Sequence, residues 1–388
     1  MKPFEGVDFY NLDELLSDEE RQIRDTVRAF VSDRLMPIIE IHNRAGTFPA
    51  ELIPGMAELG LLGANLEGYG CAGLGAVAYG LIMQELERGD SGLRSFVSVQ
   101  GSLVMFPIAT FGSEEQKKKW LPALASGKAI GCFGLTEADS GSDPSAMRTR
   151  ARKVTEGWIL SGSKMWITNG SVADIAVVWA HTEDGVRGFL VQKGTRGYTS
   201  RDIQGKFALR ASVTSELIFE DCPLSEEALL PDSGGLRAAL ECLNQARYGI
   251  AWGAMGSAMA VYDEARRHAT TRIMFGKPIG SFQLVQNKLA HMLTEITKGQ
   301  LVAWRLGKLK EAGQATPQQI SFAKRNNVEA ALDIARLGRD LLGASGTADE
   351  YQTGRHMCNL EAVKTYEGTH DIHTLILGEW ITGIPAYR

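Results

Sequence analysis

The sequence is poor in cysteine, and this excludes two common ways of stabilising a small fold. It has only five cysteines in 388 residues, and none lies in a C-x-x-C pair. An odd number of scattered cysteines provides neither a disulfide framework nor the ligand spacing of a zinc site. We therefore expect reduced thiols in a cytosol-like compartment and no bound metal. The five residues are Cys71, Cys132, Cys222, Cys242 and Cys358.

Long apolar runs and clusters of basic residues are missing too. The most apolar window, 250–261, is short and is interrupted by glycines, whereas a bilayer span needs about 20 apolar residues. Lysine and arginine number 41 against 46 acidic residues, which gives a net charge of −5. These features argue against membrane insertion and against nucleic-acid binding. Residues 1–5 show no basic segment before an apolar run, so we expect a cytoplasmic protein. A matured mitochondrial matrix protein would look the same.

The spacing of apolar residues changes twice along the chain. Helical spacing begins after a capping box, in which Ser17 precedes Glu20, and it continues over about the first 125 residues. Short runs rich in β-branched and aromatic residues follow and predict strands at 158–160, 175–180, 188–191 and 215–219. Asp184-Gly185 is a strong hairpin signal between two of them. Helical patterns then return, at roughly 236–270, 282–312, 317–342, 350–365 and 370–382.

This order predicts an α+β fold of three domains. We expect an N-terminal helical domain over 1–129, a middle antiparallel β domain over 130–232, and a C-terminal four-helix bundle over 233–388.

Two motifs in the expected β domain have the residue types of a binding site for a planar cofactor. Gly134–Asp143 is dense in glycine and small hydroxyl residues, so its N–H groups and hydroxyls can meet a phosphate or a heteroaromatic edge. Farther along, Trp166 and Thr168 are two residues apart in an expected strand and share one face. Taken singly, the motifs are also compatible with an ordinary polar turn and a core tryptophan.

Together, in this order, the two motifs resemble those of the acyl-CoA dehydrogenase family, and the resemblance extends across the chain to 271–278, 281–286 and 341–346. It implies one FAD, held partly across a subunit interface, and a homotetramer built as a dimer of dimers. Arg272 would face the pyrophosphate, which suits the fork of a guanidinium. Ala138 and Ala344 replace the common proline and glycine. The implied FAD ligands are Phe133, Leu135, Thr136, Gly141, Ser142, Trp166, Ile167, Thr168, Arg272, Phe275, Gln283, Asp340, Leu342, Gly343, Ala344, Thr369, Asp371 and Tyr387.

The segment Tyr366–Ile372 contains the expected catalytic base. Thr369 is a natural N-cap for the following helix, and Asp371 lies in its first turn. Taken alone, Glu367 would be a solvated loop carboxylate. The resemblance instead implies that it removes the α-proton of an acyl thioester, with a pKa raised by an apolar pocket. Its backbone N–H would help to stabilise the thioester oxygen, and the β-hydrogen would leave as hydride to the flavin.

Arg94 heads an otherwise apolar helix, where it could simply pair with a nearby aspartate. Its neighbourhood and the stretches 205–212, 247–252 and 359–371, however, resemble the subgroup of the family that acts on glutaryl-CoA. A distal carboxylate needs a cation at the pocket floor, and an acyl chain without one would leave a buried arginine uncompensated. The implied substrate contacts are Arg94, Ser95, Ser98, Ser142, Asn244, Arg247, Tyr366 and Gly368.

The resemblance implies oxidative decarboxylation of glutaryl-CoA to crotonyl-CoA, with electrons passed to an electron-transfer flavoprotein. A non-decarboxylating enzyme, another short-chain acyl-CoA dehydrogenase and an oxygen-using oxidase of the same fold are the alternatives within the class. A non-catalytic acyl-CoA-binding subunit is the alternative outside it, and the intact Glu367 argues against that because a binding module needs no base. The chain departs from the subgroup's pattern at Gly101 and across 233–240, which bears on the CoA contacts.

Overall fold

The computed structural model describes residues 4–386, so the expected FAD ligand Tyr387 lies outside it. The N-terminal part is helical. The predicted capping box begins the first helix: Ser17 accepts from the Glu20 backbone N–H, and the Glu20 carboxylate accepts from that of Ser17. Two π-helical segments, Val31–Leu35 and Val99–Met105, interrupt the helical run. The helices are α1 (Asp18–Phe30), α2 (Ile39–Ala45), α3 (Ile53–Glu58), α4 (Ala76–Gly89), α5 (Ser91–Ser98), α6 (Phe106–Phe111) and α7 (Glu114–Ala125).

The middle part forms one mixed sheet of seven strands. They are β1 (Gly131–Gly134), β2 (Arg150–Val154), β3 (Gly157–Thr168), β4 (Ile175–Thr182), β5 (Gly185–Gln192), β6 (Tyr198–Asp202) and β7 (Thr214–Leu224).

The strand order is β1-β4-β2-β3-β7-β6, and β5 pairs with β4. Most pairs are antiparallel, and the predicted hairpin before Gly185 joins β4 to β5. The sheet differs from the expectation of an antiparallel domain, because both β1 and β2 run parallel to β4. A parallel pair needs a long crossover, and the chain from the end of β1 to the start of β4, which contains β2 and β3, provides it.

The C-terminal part is a helical bundle with a small hairpin at one end. The helices predicted there begin and end within two residues of the observed ones. The elements are α8 (Leu236–Thr271), β8 (Ile273–Met274), β9 (Lys277–Pro278), α9 (Gln283–Glu311), α10 (Pro317–Leu341), α11 (Gln352–Thr365) and α12 (His370–Thr382).

Close packing of α4 against α8 positions the candidate site. A Cβ at Gly256 would lie 1.9 Å from the Gln84 carbonyl oxygen, and one at Gly80 would lie 2.3 Å from the Trp252 ring. Glycine therefore allows the two helices to approach, and α4 is almost entirely buried. This contact brings the end of α4 and the start of α5 beside the middle of α8. No helix within residues 4–386 is long and apolar enough to cross a membrane.

Candidate active site

Arg94 is completely buried on α5 and forms an ion pair with α4. Its Nε donates to Glu87 Oε2 at 2.6 Å, and Glu87 Oε1 accepts from the Ser91 hydroxyl at 2.9 Å. The nearby aspartate, Asp90, is not its partner, since Asp90 caps α5 and pairs with Arg355 on α11. Burial works against the charge on Arg94, but Glu87 outweighs it and the pKa of the guanidinium is raised. Arg94 is thus a permanent cation in a site shielded from water.

The outer end of Arg94 faces the loop between α11 and α12. Its Nη2 donates to the Tyr366 hydroxyl, and Ser95 Oγ lies 3.3 Å from the same oxygen. Burial raises the pKa of Tyr366 to about 12, so this hydroxyl stays protonated at neutral pH. Ser98 is buried one turn farther along α5. The remaining nitrogen of Arg94, Nη1, is buried and has no hydrogen-bond partner among residues 4–386. An unsatisfied buried donor is costly, and it indicates a polar group on a ligand.

Glu367 lies in the short loop that joins α11 to α12. Its φ is 52°, in the left-handed region, and Gly368 follows with a φ of 89°. Thr369 caps α12 by accepting from the Ile372 backbone N–H at 3.1 Å, as its sequence position predicts. The carboxylate oxygen Oε2 of Glu367 is buried and, within the described part of the chain, has no hydrogen-bond partner. It is therefore available to accept a proton from a substrate.

The charges around Glu367 come from several helices. Burial raises the pKa of Glu367, while the positive charges of Arg94, Lys324 and Arg247 oppose the rise. Lys324 lies on α10, and burial lowers its pKa to about 7. The charges of Arg94 and Glu87 cancel, and Arg247 is positive. Glu367 and Lys324 add no net charge when one of them holds the proton, whichever it is. In both cases the cluster has one more positive than negative charge.

The residues expected to contact the CoA arm lie in separate places. Arg247 turns toward the catalytic loop, where its Nε donates to the Glu367 carbonyl oxygen at 2.8 Å. It therefore supports that loop, and its predicted contact with CoA stays a prediction. Its Nη1 is 3.5 Å from Oδ1 of Asn244, which is half-buried on α8. Ser142 is exposed in the loop after β1.

A buried ion pair fixes that loop after β1. Lys164 Nζ donates to Glu137 Oε1 at 2.8 Å and to the Leu135 carbonyl at 3.0 Å. Glu137 also accepts from the backbone N–H groups of Arg148 at 2.6 Å and Thr149 at 3.0 Å. Burial opposes the charge of Glu137, but these hydrogen bonds lower its pKa to about 2. Neither Lys164 nor Glu137 was among the predicted ligands, although both lie within the two motifs.

Trp166 projects from β3 beside the same loop. The Met165 backbone N–H donates to the Thr136 carbonyl at 2.9 Å, which joins the loop to the strand. The strand bulges just before Ile167, and Trp166 has a φ of 65°. Ile167 is buried, whereas Trp166 is 59% exposed and is thus not a core tryptophan. Thr168 follows Trp166 by two residues, and the bond from Met165 brings Thr136 beside the strand. The exposed indole and these two hydroxyl residues suit the face and the polar edge of a flavin ring.

The other expected FAD ligands lie mainly at one end of the helical bundle. The rings of Phe275, in the β8–β9 turn, and Phe282, before α9, have centroids 6.0 Å apart. Lys288 on α9 binds Asp340 on α10. Phe275 is 89% exposed, so it is available to a ligand or a second subunit. Of the remaining predicted ligands, Arg272, Gln283, Gly141, Gly343, Ala344 and Asp371 are exposed, and Phe133, Leu135 and Leu342 are buried.

Two buried polar side chains near Glu367 were not predicted. Lys324 lies in phase with Ile320 and Asn327 on the buried face of α10, and a lysine at such a position was a usable signal. His373 follows the α12 cap, and burial lowers its pKa to about 2, so its ring is neutral. Neither ring nitrogen has a hydrogen-bond partner within residues 4–386.

Comparisons with known proteins find relatives along nearly the whole chain. Family models of the acyl-CoA dehydrogenase N-terminal, middle and C-terminal domains match residues 17–128, 132–222 and 233–382. The mitochondrial short-chain specific acyl-CoA dehydrogenase of Bos taurus is 37% identical over 380 residues, which cover 96% of this chain and 92% of that protein. A crystal structure of glutaryl-CoA dehydrogenase from Mycobacterium smegmatis is 55% identical, covers 97% of this chain and 98% of its own, and has a TM-score of 0.96. Another from that organism, in complex with FADH2, is 53% identical, with coverage of 98% and 99% and a TM-score of 0.98.

Proposed function

Because the chain belongs to the acyl-CoA dehydrogenase family, whose members are FAD-dependent enzymes, we propose that it oxidises glutaryl-CoA and decarboxylates it to crotonyl-CoA. The observation that carries this proposal is the buried Arg94, whose Nη1 has no hydrogen-bond partner in residues 4–386. FAD, when bound, supplies the acceptor for two electrons. The loop after β1, with Trp166 and Thr168, would hold it, and the exposed indole and donor-rich loop fit that role.

The charge balance of the pocket supports a substrate with a distal carboxylate. Arg94, Glu87, Arg247, Lys324 and Glu367 together have one excess positive charge, whichever of the last two holds the proton. A straight-chain acyl group without a carboxylate would leave that charge uncompensated, which is unfavourable in a buried site. A dicarboxylic acyl thioester would neutralise it and satisfy the free nitrogen of Arg94. Glutaryl-CoA has this chemistry.

Glu367 is the group proposed to move the proton. Its Oε2 is buried and, across the described residues, unpartnered, so it can accept the α-proton without first breaking a hydrogen bond. Burial raises its pKa toward the operating pH, which is the requirement for an efficient general base. The backbone N–H of Glu367 would donate to the thioester oxygen as that oxygen gains enolate charge.

The hydrogen bonds of Arg94 support loss of CO2 after the oxidation. Nε is already bound to Glu87 and one N–H of Nη2 to Tyr366, and Nη1 is the nitrogen without a partner in residues 4–386. A guanidinium with all its donors on the substrate would stabilise the carboxylate strongly against leaving, whereas one shared with Glu87 and Tyr366 orients it with less stabilisation. Glu367, protonated in the first step, would return a proton to the far carbon of the resulting dienolate.

Exposed apolar side chains support assembly of the chain into a homotetramer. Phe275 is 89% exposed, Leu284 is 79% exposed, and Ile381 is 73% exposed. Exposed apolar patches are typical of subunit interfaces. Sedimentation of the FAD-loaded protein measures the assembly directly, and a monomer would contradict this part of the proposal.

A second candidate function is oxidation of a short monocarboxylic acyl-CoA, which the 37% identity to the Bos taurus enzyme favours. Carboxyl-labelled glutaryl-CoA with an artificial electron acceptor tests the first candidate, and a comparison of substrates tests the second. Crotonyl-CoA with stoichiometric labelled CO2 is the expected result, and glutaconyl-CoA without CO2 would indicate a non-decarboxylating enzyme. A higher kcat/KM for butyryl-CoA than for glutaryl-CoA would favour the short-chain function.

The proposed electron acceptor is an electron-transfer flavoprotein, which the resemblance of the flavin motifs supports. Anaerobic turnover with such a flavoprotein, and little oxygen uptake in its absence, is the expected result. Rapid oxygen uptake would indicate an oxidase of the same fold.

A further inference from the structure

Two buried cations hold three consecutive backbone carbonyls of the catalytic loop. Lys324 Nζ on α10 donates to the carbonyl oxygen of Tyr366 at 2.7 Å and to that of Gly368. Between them, the carbonyl oxygen of Glu367 accepts from Arg247 Nε on α8 at 2.8 Å. The loop that contains Glu367 is therefore attached through its main chain to two long helices of the bundle.

Packing alone does not account for a lysine at position 324. The side chain is 1% exposed, and both hydrogen bonds of its ammonium group end on backbone carbonyls rather than on a carboxylate. Burial of an ammonium group is unfavourable unless its donors and charge are compensated. A methionine of similar length would fill the same space without that cost, so the ammonium group serves the loop rather than the packing of α10.

We infer that Lys324 is a positioning residue that directs the backbone N–H of Glu367 into the substrate pocket, an inference that rests on the proposed role of Glu367. The C=O and N–H of a trans peptide point in opposite directions, and residues 4–386 contain no cis peptide bond. Lys324 holds the Tyr366 oxygen on the side of α10. The N–H of the same peptide, which belongs to Glu367, therefore points away from α10. This N–H is the donor proposed to stabilise the thioester oxygen.

The same contacts maintain the left-handed backbone of Glu367. A φ of 52° is unfavourable for a residue with a Cβ. Lys324 binds the peptide group before this residue and Arg247 binds the one after it, while Lys324 also holds the carbonyl of Gly368. The backbone therefore cannot relax to an extended conformation without breaking a hydrogen bond. Without Lys324, the N–H and the carboxylate of Glu367 would no longer be held in one orientation. A displacement of about 1 Å in a reacting geometry can cost about 100-fold in rate.

Lys324 also acts on Glu367 through its charge. A nearby cation favours the carboxylate, so its removal raises the pKa of Glu367 and moves the low-pH limb of kcat/KM to higher pH. The other titratable or charged groups around this carboxylate are Glu87 and Tyr79 on α4, Arg94 on α5, Arg247 on α8, Tyr366 in the loop and His373 on α12.

The test compares the FAD-loaded Lys324→Met, Lys324→Gln and Lys324→Arg variants with the natural enzyme. Lys324→Gln keeps one hydrogen-bond donor for a loop carbonyl, and it replaces the methionine variant in the test if that variant does not fold. Lys310→Met is the matched control, because Lys310 is also a mostly buried lysine on a bundle helix, but it binds Gln245 away from the loop. The measurements are kcat and KM for glutaryl-CoA, the pH profile, the melting temperature and the infrared carbonyl band of bound acyl-CoA.

The expected result for Lys324→Met is a fall in kcat of about 100-fold with a smaller change in KM, together with a carbonyl band at higher wavenumber. The low-pH limb of its kcat/KM profile should move to higher pH, whereas that of Lys324→Arg should stay at the natural pH. Lys310→Met should keep the natural kcat and carbonyl band. A folded Lys324→Met or Lys324→Gln variant with the natural kcat and band would overturn the inference. Loss of melting temperature without a band shift would also overturn it, because that would show a structural role only.

Glu367→Gln separates this inference from the proposed function. If that variant still reduces its flavin, Glu367 is not the base and the proposed function fails. If it is inactive while Lys324→Met behaves as the natural enzyme, only the positioning role fails.

Discussion

Replacement of Arg94 by methionine tests whether the pocket is built for a substrate carboxylate. Methionine keeps much of the apolar volume of the side chain but removes the guanidinium. Truncating one partner of a desolvated, hydrogen-bonded charge pair costs about 2–5 kcal/mol. At 1.4 kcal/mol per factor of ten, kcat/KM for glutaryl-CoA should fall about 30- to 4,000-fold. Butyryl-CoA has no distal carboxylate, so its kcat/KM should change far less.

The same substitution also isolates Glu87, and the design must separate that effect from substrate binding. Glu87 is fully buried, and its Oε2 accepts from Arg94 at 2.6 Å. Leaving one charge of a buried pair without its partner costs about 3–5 kcal/mol of stability. The double variant Glu87→Gln/Arg94→Met removes both charges and should recover most of the lost melting temperature. It should nevertheless remain defective toward glutaryl-CoA.

The assay measures steady-state kcat/KM on both substrates for the natural enzyme, the single variant and the double variant. Selectivity for glutaryl-CoA over butyryl-CoA should collapse in both variants. If the stable double variant loses the same factor on both substrates, Arg94 has only a structural role and the reasoning from its free nitrogen is refuted.

Three further predictions concern the base and the flavin loop. Glu367→Gln should still bind FAD and acyl-CoA, but stopped-flow flavin reduction should slow by about 10²–10⁴-fold; reduction near the natural rate would contradict its role as base. Burial raises the pKa of Glu367, and only the deprotonated form accepts the proton, so kcat/KM should fall as pH drops through a value above the ordinary glutamate pKa of about 4.3. A profile that stays flat through this range would be inconsistent with that environment. Lys164→Met should weaken FAD retention during dialysis, because Lys164 ties the loop after β1 to β3 through Leu135 and Glu137, whereas Lys153→Met on the surface of β2 should not.

Local patterns determined most of the secondary structure. The Ser17 capping box begins α1 as predicted, and the long apolar repeats of α8, α9 and α10 end within two residues of the observed helix ends. Helix caps and helical periodicity depend on residues a few positions apart, so the sequence contains them directly. The hairpin before Gly185 was predictable for the same reason.

The missed strands depended on partners that are distant in sequence. β1 is four residues long, and β2 and β6 have five residues each. None of the three was predicted, because segments of that length show too little alternation. The parallel pairing of β1 with β4 joins Gly131 to Ile175 across the intervening strands. Strand pairing of this kind is decided by the packing of the whole sheet.

The candidate site divides in the same way. Glu367 and Arg94 were named by the resemblance of the short stretches that contain them to those of the family, since either residue taken alone would have had an ordinary structural interpretation. The resemblance also named Tyr366 as a partner of Arg94, 272 positions away, and in the structure Arg94 donates to its hydroxyl. Only the tertiary structure showed that Arg247 turns onto the catalytic loop. It also showed that Lys324, a lone lysine on a buried helical face, donates hydrogen bonds to the carbonyls of the residues on either side of Glu367. Sequence patterns specify which groups are present and which local conformation they favour. The charge of those groups depends on their burial, and their orientation depends on the directions of their hydrogen bonds. Both arise only when distant helices pack together.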